Sequence, residues 1–163
     1  MELIPYNSIS PEGADEVGKS LNVLLANYQL YQKNLMKMLW SRRLKGFLDL
    51  HQKINRIYQL SHFNIHQIAE KVMALGEEPS VHVQSTLLPA IVKIQTLQKV
   101  EHFEEAVYQV IHMTNQLLEE VKDVFVIAAE YEEKQTMIMM QHLAHQLSMT
   151  IAVFTGVRLA HMN

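Results

Sequence analysis

Five glycines and four prolines are spread over 163 residues, and they gather at a few places. Both residues interrupt helices, proline by lacking a backbone donor and glycine through its conformational freedom. Where both are scarce over some thirty residues, an apolar period near 3.6 predicts a long helix. The segment "ISPEGADE" supplies Ser10 and Pro11 as start signals, with acids just behind them. From about Asp15 the sequence runs without proline to Leu44, and Leu21, Leu24, Leu25, Tyr28, Tyr31, Leu35 and Met38 recur at threes and fours. Lys45-Gly46 closes this first helix. A second is predicted from about Phe47 to Leu75, its apolar stripe being Leu50, Ile54, Ile57, Phe63, Ile65, Ile68 and Val72. Gly76 suits its C-terminal cap, and Pro79 follows closely.

Residues 76–101 are less regular, with a short helix predicted to begin near Pro89. A third helix takes up around His102, with Glu104 and Glu105 in its first turn, and continues to about Glu130. A fourth covers roughly Glu133 to Val157 and ends near Gly156; the join before it, "AAEYEEKQT", has neither glycine nor proline. The expected fold is all-α, an up-down four-helix bundle with one long crossover holding a short extra helix. Residues 1–14 are expected to be an N-terminal tail, 15–157 the bundle and 158–163 a C-terminal tail.

With 48% hydrophobic and 19% charged residues and a net charge of −3, the chain reads as one globular domain and not as a disordered segment. It has no cysteine, which excludes disulfides and thiolate metal sites and fits a reducing cytoplasm. The start "MELIPYNSISPEGADE" lacks the basic and long apolar pieces of a signal peptide. No apolar run reaches the ~18 residues of a membrane span, so a soluble cytoplasmic protein is expected. No glycine-rich phosphate loop or P-loop is present, and no serine, histidine and acid grouping suggests a nucleophile.

The stretch "HQKINRIYQLSHFNIHQIAEK", residues 51–71, carries His51 and Asn55, then His66 and Glu70, two pairs each spaced by four. Residues four apart share a helix face, so each pair can hold one metal ion. The pairs start fifteen residues apart, about 22 Å at about 1.5 Å per residue, too far to share an ion within one chain. Numbers 51 and 70, like 55 and 66, sum to 121. Two copies of this helix, packed antiparallel about a two-fold axis near residues 60 and 61, would set His51 against the partner's Glu70 and Asn55 against the partner's His66. Such an interface repeats every contact and so yields two equal sites. No glutamate has a histidine three residues later, so the Glu-x-x-His signature of a di-metal site within one bundle is missing.

"LW" at 39–40, "FLDLHQKINRIY" at 47–58 and "IAEKVMALGEEP" at 68–79 resemble the Dps family of ferritin-like proteins, the DNA-protection-during-starvation proteins. The likeness covers about residues 17–157 and includes the short crossover helix. It implies a ferritin-like bundle assembling into a hollow shell of twelve subunits that takes up ferrous iron, oxidises it and stores the ferric mineral. It also implies an oxidation site at the two-fold interface. The family's ligands carry over one at a time. Its first histidine falls on Leu39, which cannot bind metal, and its second on His51, which is kept. The acid four residues on falls on Asn55, an uncharged and weaker ligand. The aspartate given by the partner falls on His66, still a competent ligand, and the glutamate four beyond is kept as Glu70. Ferric iron favours hard anionic oxygen, and only Glu70 supplies it; two imidazoles and one carboxylate suit zinc or another late divalent ion about as well. The same set also matches a two-histidine-one-carboxylate iron site. Weaker or altered ferroxidase activity, or stable binding of a non-iron ion, is expected.

Simpler readings fit the remaining features. Spacing by four on a helix most often marks a solvated face, which applies to His51, His66 and Glu70 taken alone. His62 reads as a polar residue near the two-fold that could extend the row towards His66. His102, His112, His142 and His145 read as surface or satisfied core histidines. The ten methionines, notably "TMIMMQ" at 136–141, read as flexible core filling, and Trp40 as a packed aromatic near the interface. Glu119, Glu120 and Asp123 are candidate pore acids. Direct DNA binding is not expected: the N-terminal segment sets Glu2, Glu12, Asp15 and Glu16 against Lys19, and the compact basic group is Arg42, Arg43 and Lys45. The leading expectation is a Dps-like mini-ferritin with iron as its metal. The alternatives are a shell without ferroxidase activity that is structural or binds zinc, and a helical partner-binding module that forms no shell.

Overall fold

The computed structural model describes residues 9–80 and 92–163. Their helices are α1 (Pro11–Leu39), α2 (Leu48–Ala74), α3 (Phe103–Glu130) and α4 (Lys134–Met162), with a single 3-10 turn at Leu44–Gly46. No helix among these residues is long and apolar enough to cross a membrane. The short helix expected near Pro89 begins outside the described residues, and residues 92–102 that follow are irregular.

The periodic stripe of α1 became core: Leu21, Leu24, Leu25, Tyr28, Tyr31, Leu35 and Met38 are all at most 2% exposed. Leu50, Ile54, Ile57, Ile68 and Val72 of α2 are buried as expected, but Phe63 is 56% exposed. Phe63 lies seven residues, two turns, from both Arg56 and Glu70, and so belongs to the exposed face they occupy. Trp40 is likewise not packed within the chain, being 71% exposed just beyond the end of α1. Met140 is core, and Met137 and Met139 pack against it, as gap-filling methionines do.

Helix ends follow local chemistry. α1 starts at Pro11 because Ser10 Oγ accepts the Gly13 N–H at 3.0 Å. It stops at Leu39, short of Leu44, where Ser41 draws the chain into a tight turn: its Oγ accepts from Leu44 N and its carbonyl from Lys45 N. α2 ends in a Schellman motif. Gly76, at φ 87°, donates to Met73 O, and Glu77 N donates to Val72 O. α3 ends the same way without glycine. Glu132 takes φ 54° and donates to Ala129 O, while Glu133 N donates to Ala128 O. α4 continues through Gly156 to Met162, past the expected stop. A mid-helix glycine costs only about 1 kcal/mol, and here buried Phe154 and the His161 ring, stacked 4.0 Å from Phe103, hold the last turns.

α1 packs on α2 and α3, and α3 packs on α4. The crossover is fastened along α1 by side-chain amides. Asn22 bonds Glu78 O and Ser80 N, Asn27 Oδ1 accepts from Lys93 N and Ile94 N, and Asn34 bonds Gln95 O and Leu97 N. Lys37 Nζ then reaches Leu97 O at 2.7 Å. The crossover thus travels in the direction of α1 and delivers α3 to the end where α2 begins, marked by Phe47 against Phe103 at 5.0 Å. At the opposite end Tyr131 lies over Gly13, where an added Cβ would stand 2.9 Å from Tyr131 Cδ1. α2 and α3 therefore run parallel, and α4 returns antiparallel to both.

Candidate metal centre

All four candidate ligands lie on α2. At 100° per residue, His51, Asn55, His66 and Glu70 fall within about 100° of arc, on one side of the helix. Asn55, His66 and Glu70 are exposed and His51 is half-buried. The exposed face also carries Gln52, Arg56, Gln59, His62, Phe63, Gln67 and Met73. The chain itself does not bring the two pairs together, and no group of three His, Asp or Glu among the described residues could hold a metal ion.

Each histidine has a local partner. His51 Nε2 lies 3.1 Å from Leu39 O. A carbonyl only accepts, so Nε2 is the donor in this contact. Leu39 thus keeps its side chain buried while its backbone carbonyl fixes the His51 ring. His62 Nδ1 lies 3.3 Å from the Gln32 amide, and the His62 and His66 rings meet edge to face at 4.8 Å between centroids. Sequence reading gave His62 a secondary place; its spacing of four from His66 was the signal for the pair.

Glu70 also borders a groove of about 550 Å³ between α2 and α4, with Gln67, Lys71 and His142. His102, His112, His142 and His145 are all exposed. At the centre of the bundle the buried groups are hydroxyls and amides: Tyr31 bonds Thr114 at 3.0 Å, and Asn64 Nδ2 donates to Gln146 at 3.0 Å. Burial pushes the Tyr31 phenol up to about 12.

The acids considered for a pore converge on one lysine. Lys93 Nζ is 3.1 Å from Asp123, 3.3 Å from Glu120 and 4.0 Å from Glu119. Burial pushes the Glu120 carboxyl above its usual range despite that lysine. At the far end of α1, Arg42 and Arg43 line a cleft of about 860 Å³ with Lys37, Lys99 and the exposed Trp40. Glu101 offsets part of its charge, 3.5 Å from Arg43 and 2.6 Å from Lys99.

No protein-family model matches the chain. A DNA protection during starvation protein of Porphyromonas gingivalis is 28% identical over 92 residues, 56% of this chain and 58% of that protein. A protein of Haemophilus influenzae is 32% identical over 65 residues, 40% of this chain and 41% of its own length. Both matches span less than two thirds of those relatives. The solved Dps protein of Vibrio cholerae O1, described as a member of a broad superfamily of ferritin-like diiron-carboxylate proteins, superposes with a TM-score of 0.84 at 20% identity. That superposition covers 96% of this chain and 98% of the other. The resemblance to Dps proteins read from the sequence is borne out in the fold: the chain is a ferritin-like four-helix bundle of the Dps type.

Proposed function

We propose that the chain is the subunit of a cytoplasmic Dps-like mini-ferritin. Its copies close into a hollow, twelve-subunit shell, take up Fe2+ as substrate, oxidise it between subunits and retain the ferric product. The observation that carries this reading is the placement of His51, Asn55, His66 and Glu70 on one side of α2, three of them exposed, numbered so that an antiparallel partner helix would join the two pairs. On that face of α2 the exposed Phe63 and Met73 support assembly, since apolar side chains grouped on one solvent face mark interaction surfaces. Two Fe2+ would give one electron each to a hydrogen peroxide molecule. The O–O bond breaks and, with two protons taken up, two Fe3+ and two waters result. This consumption of peroxide would give protection against oxidative stress.

The second reading keeps the shell and drops the oxidation, leaving a structural or zinc-binding assembly. It is favoured by Leu39 and Asn55, which leave Glu70 as the single anion of the set. Anaerobic Fe2+ titration of the metal-stripped assembly, followed by peroxide, decides between them. Ferric absorbance and peroxide loss well above a protein-free control support the ferroxidase; the control rate, with a large assembly in solution, supports the second reading. A monomer or dimer in solution would sink both.

A further inference from the structure

We infer that His62 and His66 form a two-imidazole chelate for a late first-row divalent cation, with Zn2+ the natural probe. The inference takes His66 from the site proposed above but does not need the two-fold pairing. Its geometry lies within one chain. Two imidazoles on one Zn2+, each bound at about 2.0–2.1 Å with the ring centre about 1.1 Å beyond, have centroids about 4.5–5.2 Å apart for angles between octahedral and tetrahedral. The His62 and His66 centroids are 4.8 Å apart, with the rings inclined at 78°. Helical spacing by four is also what sets paired histidines on one ion in zinc-binding helices.

Gln32 supplies a second, independent feature. Metal-binding histidines usually give their other ring N–H to a carbonyl or carboxylate, which fixes the tautomer and the ring. Gln32 Nε2 lies 3.3 Å from His62 Nδ1, reaching from α1 across to α2. With the amide oxygen turned to that atom, an orientation equivalent in shape, it accepts the Nδ1 proton and leaves Nε2 as the metal ligand. Both imidazoles are exposed on the single chain. Imidazole nitrogen donors select zinc, cobalt, nickel or copper over calcium or magnesium. Across a two-fold of the kind proposed, His62 and His66 would face the partner's Gln59 and the partner's Asn55, whose amide oxygens are further available donors.

Zn2+ calorimetry on the metal-stripped assembly tests this, comparing the native protein with His62→Ala, His62→Gln, His66→Ala, Gln32→Ala and His51→Ala. Size-exclusion chromatography of each variant confirms that the assembly is intact. The expected result is one Zn2+ per chain, weakened at least tenfold by either His62 change and by His66→Ala, and several-fold by Gln32→Ala. Loss in His51→Ala as well would mean that the chelate is completed across the two-fold; an unchanged His51→Ala would mean that it acts alone, and both support it. Native Zn2+ affinity in both His62 variants overturns the inference. The iron assay above is scored separately, so a chelate without ferroxidase activity, or the reverse, is read directly.

Discussion

Lys71 Nζ lies 3.2 Å from Glu133 Oε1, and their side chains are only 8% and 5% exposed. The contact joins the last turn of α2 to the cap of α4, because Glu133 Oε2 also accepts the Thr136 N–H at 2.7 Å. Gln135 gives the ammonium a second oxygen at 3.0 Å. Removing one partner leaves the other buried and unmatched, a loss of about 3–5 kcal/mol. Lys71→Met is therefore expected to destabilise strongly in urea unfolding, and Lys71→Met with Glu133→Gln to recover part of the loss.

The same pair gives stability a pH dependence. Burial pushes the Glu133 carboxyl up, but the Thr136 hydrogen bonds and the Lys71 charge outweigh it and hold the group below its usual range. A carboxylate with a depressed folded value contributes stability above its unfolded value and loses it as pH falls through the folded one. Unfolding midpoints measured downward from pH 5 should fall more steeply for the native chain than for Glu133→Gln.

Asn34 is fully buried and bonds Gln95 O, Met113 Sδ and Leu97 N at once. Asn34→Ala leaves the part-buried Leu97 N–H and Gln95 carbonyl of the crossover without their partner, each worth about 0.5–1.5 kcal/mol. The expected signs are a loss of about 1–3 kcal/mol and faster hydrogen exchange at the Leu97 amide. Native protection at that amide would show that the crossover is held by other means.

Glu132 occupies the left-handed position that glycine usually fills, at φ 54°. Non-glycine residues pay about 1–3 kcal/mol there, partly regained through a less flexible unfolded chain. Glu132→Gly is expected to raise stability by about 0.5–1 kcal/mol, read as a higher urea midpoint at unchanged slope.

For the iron reading, Asn55→Asp restores an anionic oxygen on the exposed face of α2. It is expected to speed ferrous oxidation about tenfold, within the range that changes around a metal site produce, and to do so with an unchanged assembly. A rate that stays at the native value would remove residue 55 from the site.

The helices were legible because their cores obey one period: every α1 residue picked by spacing is buried. Phe63 was misread because an apolar residue on an exposed helix face looks in sequence like one that faces the core. The end of α1 was overrun because nothing in the composition of "LWSRRLKG" announces that Ser41 will turn the chain. The fastening of the crossover was invisible for another reason. Asn22, Asn27 and Asn34 read as ordinary polar residues until the backbone they bind is placed beside them. On the candidate ligand face, the spacing of His51, Asn55, His66 and Glu70 was plain in the numbering, whereas the Gln32 contact to His62 needed α1 and α2 side by side.

The amides along α1 also bear on how the chain folds. α1 with α2, and α3 with α4, are hairpins of neighbouring segments, the kind of contact that forms early and fast. Joining them requires the crossover to lie down in one alignment, and Asn27 and Asn34 bond its backbone at Lys93–Ile94 and at Gln95 and Leu97. They act as register marks, so that the two halves dock in one alignment and α2 is left with its histidine face outward.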